Sequence, residues 1–323
     1  MFLRDILRRD SPDIEEAATR IARSQADIIV LQGIDYDLDH VALAAFAARI
    51  TEYGGTYPHL FALKPNTGLQ TGFDLDLNGQ IGEPRDAQGY GGFAGQGGMA
   101  LLSKHPIARH QDLTETLWRD LPSTRMLPLD SGYEVQRLSS VSHWIVELAP
   151  AEMPPLTLLT FHATPPIFDG PEDRNGRRNH DETAIWSHFL DNRLELTPPA
   201  SRFILAGDAN LDPEDGDGLP DALRALLTDP RLHDPAPRST AATDAAAAEA
   251  GANLRHKGDA ALDTANWRDS PGPGNLRVDY ILPSADWIVV QSGVLWPETD
   301  TNLSEDDRRT ISRHGLVWVD LRQ

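Results

Sequence analysis

The sequence predicts a layered α/β sandwich. Two observations carry that reading. Short apolar runs of strand length recur along the 323 residues, with few helical stretches between them, which favours stacked sheets over a regularly alternating parallel sheet. No internal repeat or linker interrupts the pattern, so residues 1–323 read as one domain, long enough to bury a sizeable core.

The elements follow in order. Ser11-Pro12 reads as a helix N-cap with proline at the first helical position, and Ile14, Ala17, Ala18 and Ile21 give the helix an apolar side. A buried strand is expected at residues 27–31, followed by an aspartate-rich turn and a helix over 41–53. A strand over 57–63 leads into a long Gly/Asp-rich loop at about 65–97. Further strands are expected at 99–103, 142–147, 156–161, 202–205, 278–282 and 316–321, with helices near 181–192 and 220–227. The alanine-rich stretch 240–251 reads as a surface loop or short helix.

Composition narrows the function. With 29 basic against 49 acidic residues the formal charge is -20, which argues against a broad nucleic-acid surface. A phosphate substrate stays open, because a bound divalent cation reverses the local field. The absence of cysteine rules out disulfides, thiolate metal sites and a cysteine nucleophile, and leaves the compartment open. No apolar stretch is long enough to span a membrane, and no signal peptide is visible.

The chemistry concentrates in a few fragments. Phe203-Ile204-Leu205-Ala206-Gly207-Asp208-Ala209-Asn210 is a buried strand ending in a glycine and two oxygen-bearing side chains. Residues two apart on a strand share a face, so Asp208 and Asn210 are expected to project together, suiting a hard divalent cation and a phosphate oxygen. Taken alone, Gly-Asp-Xaa-Asn is commonly only a turn. It stands in order with Ala26–Gln32, Gly98–Ile107, Leu159–His162, Arg277–Leu282 and Ser312-Arg313-His314.

In that order the fragments resemble the endonuclease/exonuclease/phosphatase superfamily, the deoxyribonuclease-I-like metal-dependent phosphoesterases. The resemblance covers nearly the whole chain. It implies a four-layer α/β sandwich with two central sheets, mostly antiparallel or mixed, and a divalent cation, Mg²⁺ or Mn²⁺. It further implies that His314 meets the scissile phosphate as base or electrostatic stabiliser, with Asp279 fixing its tautomer. Asp208 and Asn210 would position water, phosphate or metal, and His162 would donate to phosphate.

Three departures touch the metal half of the site. The family's Leu-Gln-Glu is here Leu31-Gln32-Gly33, which removes the principal metal carboxylate. Asp35 reaches the site in its place if the strand continues. The family's Ser-Asp-His is Ser312-Arg313-His314; Arg313 either binds phosphate directly or disables the site. The family's first strand, which ends in a site asparagine, has no counterpart before the first helix, so that strand is expected to be missing, as a truncated N-terminus would explain.

Asp74, Asp76 and Asn78 have the spacing of a calcium loop, but its twelfth position is Arg85 rather than glutamate; a solvated turn and a structural Ca²⁺ are both open. Gly95-Gln96-Gly97-Gly98 could approach phosphate through backbone N–H groups, and Tyr90 and Arg137 are further possible substrate contacts. The leading expectation is a divalent-metal-dependent phosphoester hydrolase acting on a small phosphoester rather than long nucleic acid. A non-catalytic member that uses the same cleft for binding is the alternative, and a calcium-stabilised extracellular binding protein a third.

Overall fold

The computed structural model describes residues 2–267, 271–297 and 312–322. Its helices and strands stack in four layers, and the side-chain alternation of the strands sets which layers touch. Helices α1 (Phe2–Arg8), α2 (Pro12–Ser24) and α3 (Val41–Glu52) cover a three-stranded sheet of β1 (Ile28–Ile34), β3 (Gly98–Ser103) and β2 (His59–Phe61), in the order β1-β3-β2. Within β3, Ala100 and Leu102 pack with Ile21, Phe46 and Ile50 of the helices, while Met99 and Leu101 face the other way.

Those two meet the second sheet. It comprises β4 (Ile107–Asp112), β5 (Ser142–Leu148), β6 (Leu156–His162), β7 (Phe203–Asp208) and β10 (Asp279–Pro283), in the order β10-β7-β6-β5-β4. Trp144, Val146, Leu148, Leu158 and Ala206 fill the space between the sheets against Met99, Leu101 and Phe61. On its outer face Ile145, Leu159, Phe161, Leu205, Tyr280 and Leu282 pack against α4 (Arg174–Leu190) and α5 (Asp221–Leu227). Period-two alternation thus sends each strand's neighbouring residues into different cores. Only the β6–β7 pairing is parallel in this sheet.

Helix α6 (Thr240–Glu249) settles the alanine-rich stretch as helix, started by the Ser239 side chain accepting from the Ala242 N–H. Two short strands, β8 (Ala265–Asn266) and β9 (Asn275–Leu276), pair with each other, and β11 (Ile288–Leu295) pairs with β12 (Leu316–Arg322). The segment ahead of β1 is helical in α1 and α2, and β1 is an edge strand among the described residues.

Candidate active site

Register builds the site. Asp208 at the end of β7 lies opposite His162 of β6 on one side and opposite Asp279 of β10 on the other. Paired residues share a face, so the three side chains form one row across the sheet. Going back along β7, β6 and β10, that face carries Ala206, Leu158 and Ile281, the residues packed between the two sheets. The row therefore stands at the mouth of the inter-sheet layer, where apolar packing gives way to polar groups. Gln32 continues the same face of β1 from Ile28 and Val30, and its Nε2 donates to the Phe161 carbonyl (3.2 Å), the residue before His162.

Asp208 and Asn210 come together, but not by strand alternation. The strand ends at Asp208, and Asn210 is left-handed at φ 49. Asp208 Oδ1 accepts the Asn210 N–H (2.8 Å), a local side-chain turn, and Asn210 Nδ2 reaches Asp208 Oδ2 (3.3 Å) and the Ala163 carbonyl (2.8 Å). Glycine precedes them for a steric reason: a Cβ on Gly207 would lie 2.2 Å from the Phe161 carbonyl oxygen. Behind the row, Asn179 of α4 is fully buried and donates through Nδ2 to the carbonyls of Thr164 and Ala209, both at 2.7 Å. It ties the loop after His162 to the loop after Asp208.

His314 enters from the segment before β12, bridged to Ala265. Its Nδ1 lies 2.9 Å from Asp279 Oδ2. An ionised carboxylate only accepts, so Nδ1 carries the hydrogen and Nε2 is left for another partner. Trp267 meets the imidazole edge-on, with ring centroids 5.4 Å apart. Ligand atoms of Asp208, Asp279 and His314 all lie within 4.8 Å of one another.

Electrostatics separates the two histidines. Burial alone would depress the His314 pKa, but the Asp279 carboxylate, with Asp208 behind it, overrides this and raises it to about 9. For His162, burial, reinforced by the His314 charge, outweighs the pull of Asp279 and lowers the pKa to about 4. Its Nδ1 is buried without a hydrogen bond, and its Nε2 stands 3.5 Å from Asp208 Oδ2. Asp208, only 2% exposed, is pushed up to about 7 by burial and then by the Asp279 charge. At neutral pH one imidazole is charged and the other neutral.

Other candidates lie elsewhere. Strand alternation fails at Gly33, where the β1–β3 register shifts and φ is +72; a Cβ there would meet nothing within 4 Å. Asp35 therefore falls beyond the strand end, outside the Asp208–Asp279–His314 cluster, and its Oδ1 accepts the Gly97 N–H (3.1 Å). The Gly95 N–H is likewise taken, by the Thr67 carbonyl. Arg137 pairs with Glu115 and Asn66 (both 2.8 Å), whereas Tyr90 is exposed. Arg313 is half-buried, and its guanidinium makes no hydrogen bond or ion pair among the described residues.

Asp86 joins Asp74 and Asp76 as a third acid, with oxygens of all three within 4.8 Å of one another. Asn78 serves the cluster as a donor, through its N–H to Asp74 and Asp76 and its Nδ2 to Asp76 and Glu83, and its Oδ1 accepts the Gln80 N–H. Asn179, Trp267 and Thr264 lie outside the sequence motifs, because each acts through contacts distant in sequence; Gln32 lies within one, but only the fold shows what it touches.

The sequence matches the endonuclease/exonuclease/phosphatase family model over residues 4–314. No curated protein matches it. Among solved structures it is similar to an endonuclease/exonuclease/phosphatase from Beutenbergia cavernae DSM 12333 (16% identity, 97% of this chain and 67% of that one, TM-score 0.57). It is similar also to the mannosyl-6-phosphatase of Bacteroides thetaiotaomicron VPI-5482 (13% identity, 99% and 94%, TM-score 0.53). A further Bacteroides thetaiotaomicron family protein covers 96% and 88% at 12% identity and TM-score 0.51. At these identities the structures speak for the fold, and the family match for membership: the chain belongs to the endonuclease/exonuclease/phosphatase family.

Proposed function

We propose that the protein is a divalent-metal-dependent phosphoester hydrolase working at the His162–Asp208–Asp279 row and His314. The observation that carries this reading is the His314–Asp279 pair set directly beside a buried carboxylate, Asp208. Family membership supplies the general expectation of phosphoester chemistry.

The residues present fit a hard cation in part. Asp208 and Asp279 crowd two carboxylates together; burial first and the Asp279 charge second raise the Asp208 pKa, and a cation would offset both. Asn210 Oδ1 accepts no hydrogen bond among the described residues, and Gln32 Oε1 is a buried acceptor without a partner. Asp208 and Asn210 would hold Mg²⁺ or Mn²⁺, with Gln32 Oε1 as a neutral oxygen from the facing sheet. Such an ion would neutralise phosphate oxygens and make a bound water more acidic.

The chain's own groups divide the remaining work. His314, charged at neutral pH, presents its Nε2–H to the phosphate or to the departing ester oxygen, so it serves as acid and electrostatic stabiliser rather than base. Asp279 keeps that ring oriented. Asp208 and Asn210 hold the attacking water, and neutral His162 lines the phosphate side of the row. Arg313 supplies a permanent cation one residue from His314. With a formal charge of -20, a small phosphoester is the better substrate than a long nucleic acid.

A specific observation favours a second reading, a binding protein without turnover: Gly33 offers no ligand, and Asp35 is engaged with Gly97. Phosphomonoester and phosphodiester hydrolysis with Mg²⁺, Mn²⁺ and Ca²⁺, compared with His314→Ala, separates the two. Turnover that needs both metal and His314 supports the enzyme; none on either ester class supports the binding protein.

A further inference from the structure

We infer that this chain takes its divalent cation together with the phosphate of its substrate, and that the substrate is a phosphomonoester dianion, one terminal oxygen of which serves as the anionic ligand that Gly33 does not supply. This rests on the proposed metal-dependent hydrolysis at the Asp208–Asp279–His314 site and names its substrate class.

The chain by itself offers a cation little negative charge. Gly33, at φ +72, has no side chain, and a Cβ there would meet nothing within 4 Å, so the space beside Gln32 is left unfilled. Asp35 does not fill it, since its Oδ1 accepts the Gly97 N–H at 3.1 Å. Asp279 is committed to the protein: its Oδ2 receives the His314 Nδ1–H at 2.9 Å and the Thr264 hydroxyl at 2.8 Å. That leaves Asp208, whose Oδ1 already accepts the Asn210 N–H at 2.8 Å.

The remaining free oxygens are neutral. Gln32 donates through Nε2 to the Phe161 carbonyl, which turns its Oε1 the other way, buried and without a partner. Asn210 Nδ2 is likewise fixed by the Ala163 carbonyl, leaving Oδ1 as an acceptor. Amide oxygens coordinate a hard cation but carry no charge to balance it. A dication beside a single unopposed carboxylate keeps a surplus of positive charge, and burying such a surplus is costly.

Phosphate has the opposite deficit. The protein carries a formal charge of -20, so a dianion arriving alone is repelled. Each ligand cancels the charge that the other leaves unbalanced, and sites that hold Mg²⁺ through few carboxylates ordinarily complete its shell with substrate phosphate. The number of terminal oxygens then selects the ester. The groups able to receive them are the cation, the His314 Nε2–H and the Arg313 guanidinium, whose charge is felt at the His314 ring and which has no partner among the described residues. A phosphomonoester has a terminal oxygen for each of the three, whereas a diester leaves one of them unmet.

The test measures Mn²⁺ affinity by EPR of the free ion, above neutral pH where inorganic phosphate is a dianion. Affinity is compared without added anion, with inorganic phosphate, and with dimethyl phosphate as a diester monoanion. A protein-free blank subtracts ion held by phosphate in solution, and repetition in Asp74→Ala removes ion held by the acidic loop. Inorganic phosphate should tighten Mn²⁺ by roughly 10–100-fold, and Mn²⁺ should tighten phosphate by the same factor, because coupling between ligands is reciprocal. Dimethyl phosphate should do far less. Gly33→Glu, which restores a carboxylate, should bind Mn²⁺ more tightly without phosphate and show a smaller coupling. Mn²⁺ that binds equally well with and without phosphate, dimethyl phosphate as effective as inorganic phosphate, or coupling undiminished in a folded Gly33→Glu overturns the inference and leaves the hydrolase reading in force. Failure of Mn²⁺ to bind under any of these conditions overturns both. Should Gly33→Glu not fold, the wild-type comparison of the two anions decides.

Discussion

Replacing Asp279 by Asn keeps the shape of the residue opposite His314 and removes its charge. The histidine is raised from 6.5 to about 9, a gross coupling of ~3 kcal/mol at 1.36 kcal/mol per pH unit. A third of the side chain is open to solvent, so screening reduces the usable part to ~1–2 kcal/mol. The His314 midpoint should therefore fall by at least ~1 unit in Asp279→Asn, followed by ring ¹H–¹⁵N NMR. The stability profile should change with it. A raised histidine pKa stabilises the fold fully below 6.5, and that contribution is lost as pH rises through about 9. Asp208 acts in the same sense: its raised pKa stabilises the fold below 3.8 and the contribution fades as pH rises through about 7. Urea unfolding of the wild type should thus weaken between neutral pH and pH 9, and Asp279→Asn should flatten that decline. An unchanged His314 midpoint would refute the assignment of Asp279 as its electrostatic partner.

Asn179→Ala strands the buried carbonyls of Thr164 and Ala209 and should cost ~2–3 kcal/mol in denaturant unfolding; a loss near zero would show that the two loops hold themselves. Gly33→Glu meets no steric obstacle at Cβ but puts a side chain on a residue at φ +72, for a cost of ~1 kcal/mol. It should nevertheless tighten Mn²⁺ binding by calorimetry, and unchanged affinity would separate Gly33 from the metal half of the site. Three crowded carboxylates at Asp74, Asp76 and Asp86 should bind Ca²⁺, adding ~2.7 kcal/mol at a hundred times Kd. Asp74→Ala should abolish the resulting rise in Tm, and a rise that survives places the ion elsewhere.

The fold was largely legible because strand periodicity is a local signal. The runs at 99–103, 142–147, 156–161 and 202–205 each became a strand, and their alternation alone assigns residues to the inner or outer core. Strand β11 was missed: Ile288–Leu295 carries polar Gln291 and Ser292 and is largely exposed, without a buried run or a clean alternation. Helix α4 begins at Arg174, well before the expected residue 181, because its first half buries polar residues such as Arg178 and Asn179 that read in sequence as solvent-facing. Within the site, the motifs led to residues that register then set side by side: His162, Asp208 and Asp279. The expected placement of Asp35 rested on a strand continuing through Gly33, and the left-handed backbone there breaks the alternation. Thr264 could not be found from sequence, since its contact with Asp279 joins residues fifteen apart, and Gln32, though inside the Ala26–Gln32 fragment, owes its place to a contact 129 residues away.

The most direct test of the central claim is hydrolysis of a small phosphomonoester in H₂¹⁸O with Mg²⁺ or Mn²⁺, read by ³¹P NMR of the released phosphate. One ¹⁸O per phosphate is expected, with release that stops on chelation and is lost in His314→Ala. Tight, metal-dependent binding of the ester with no labelled phosphate, or labelled phosphate undiminished in His314→Ala, would contradict it.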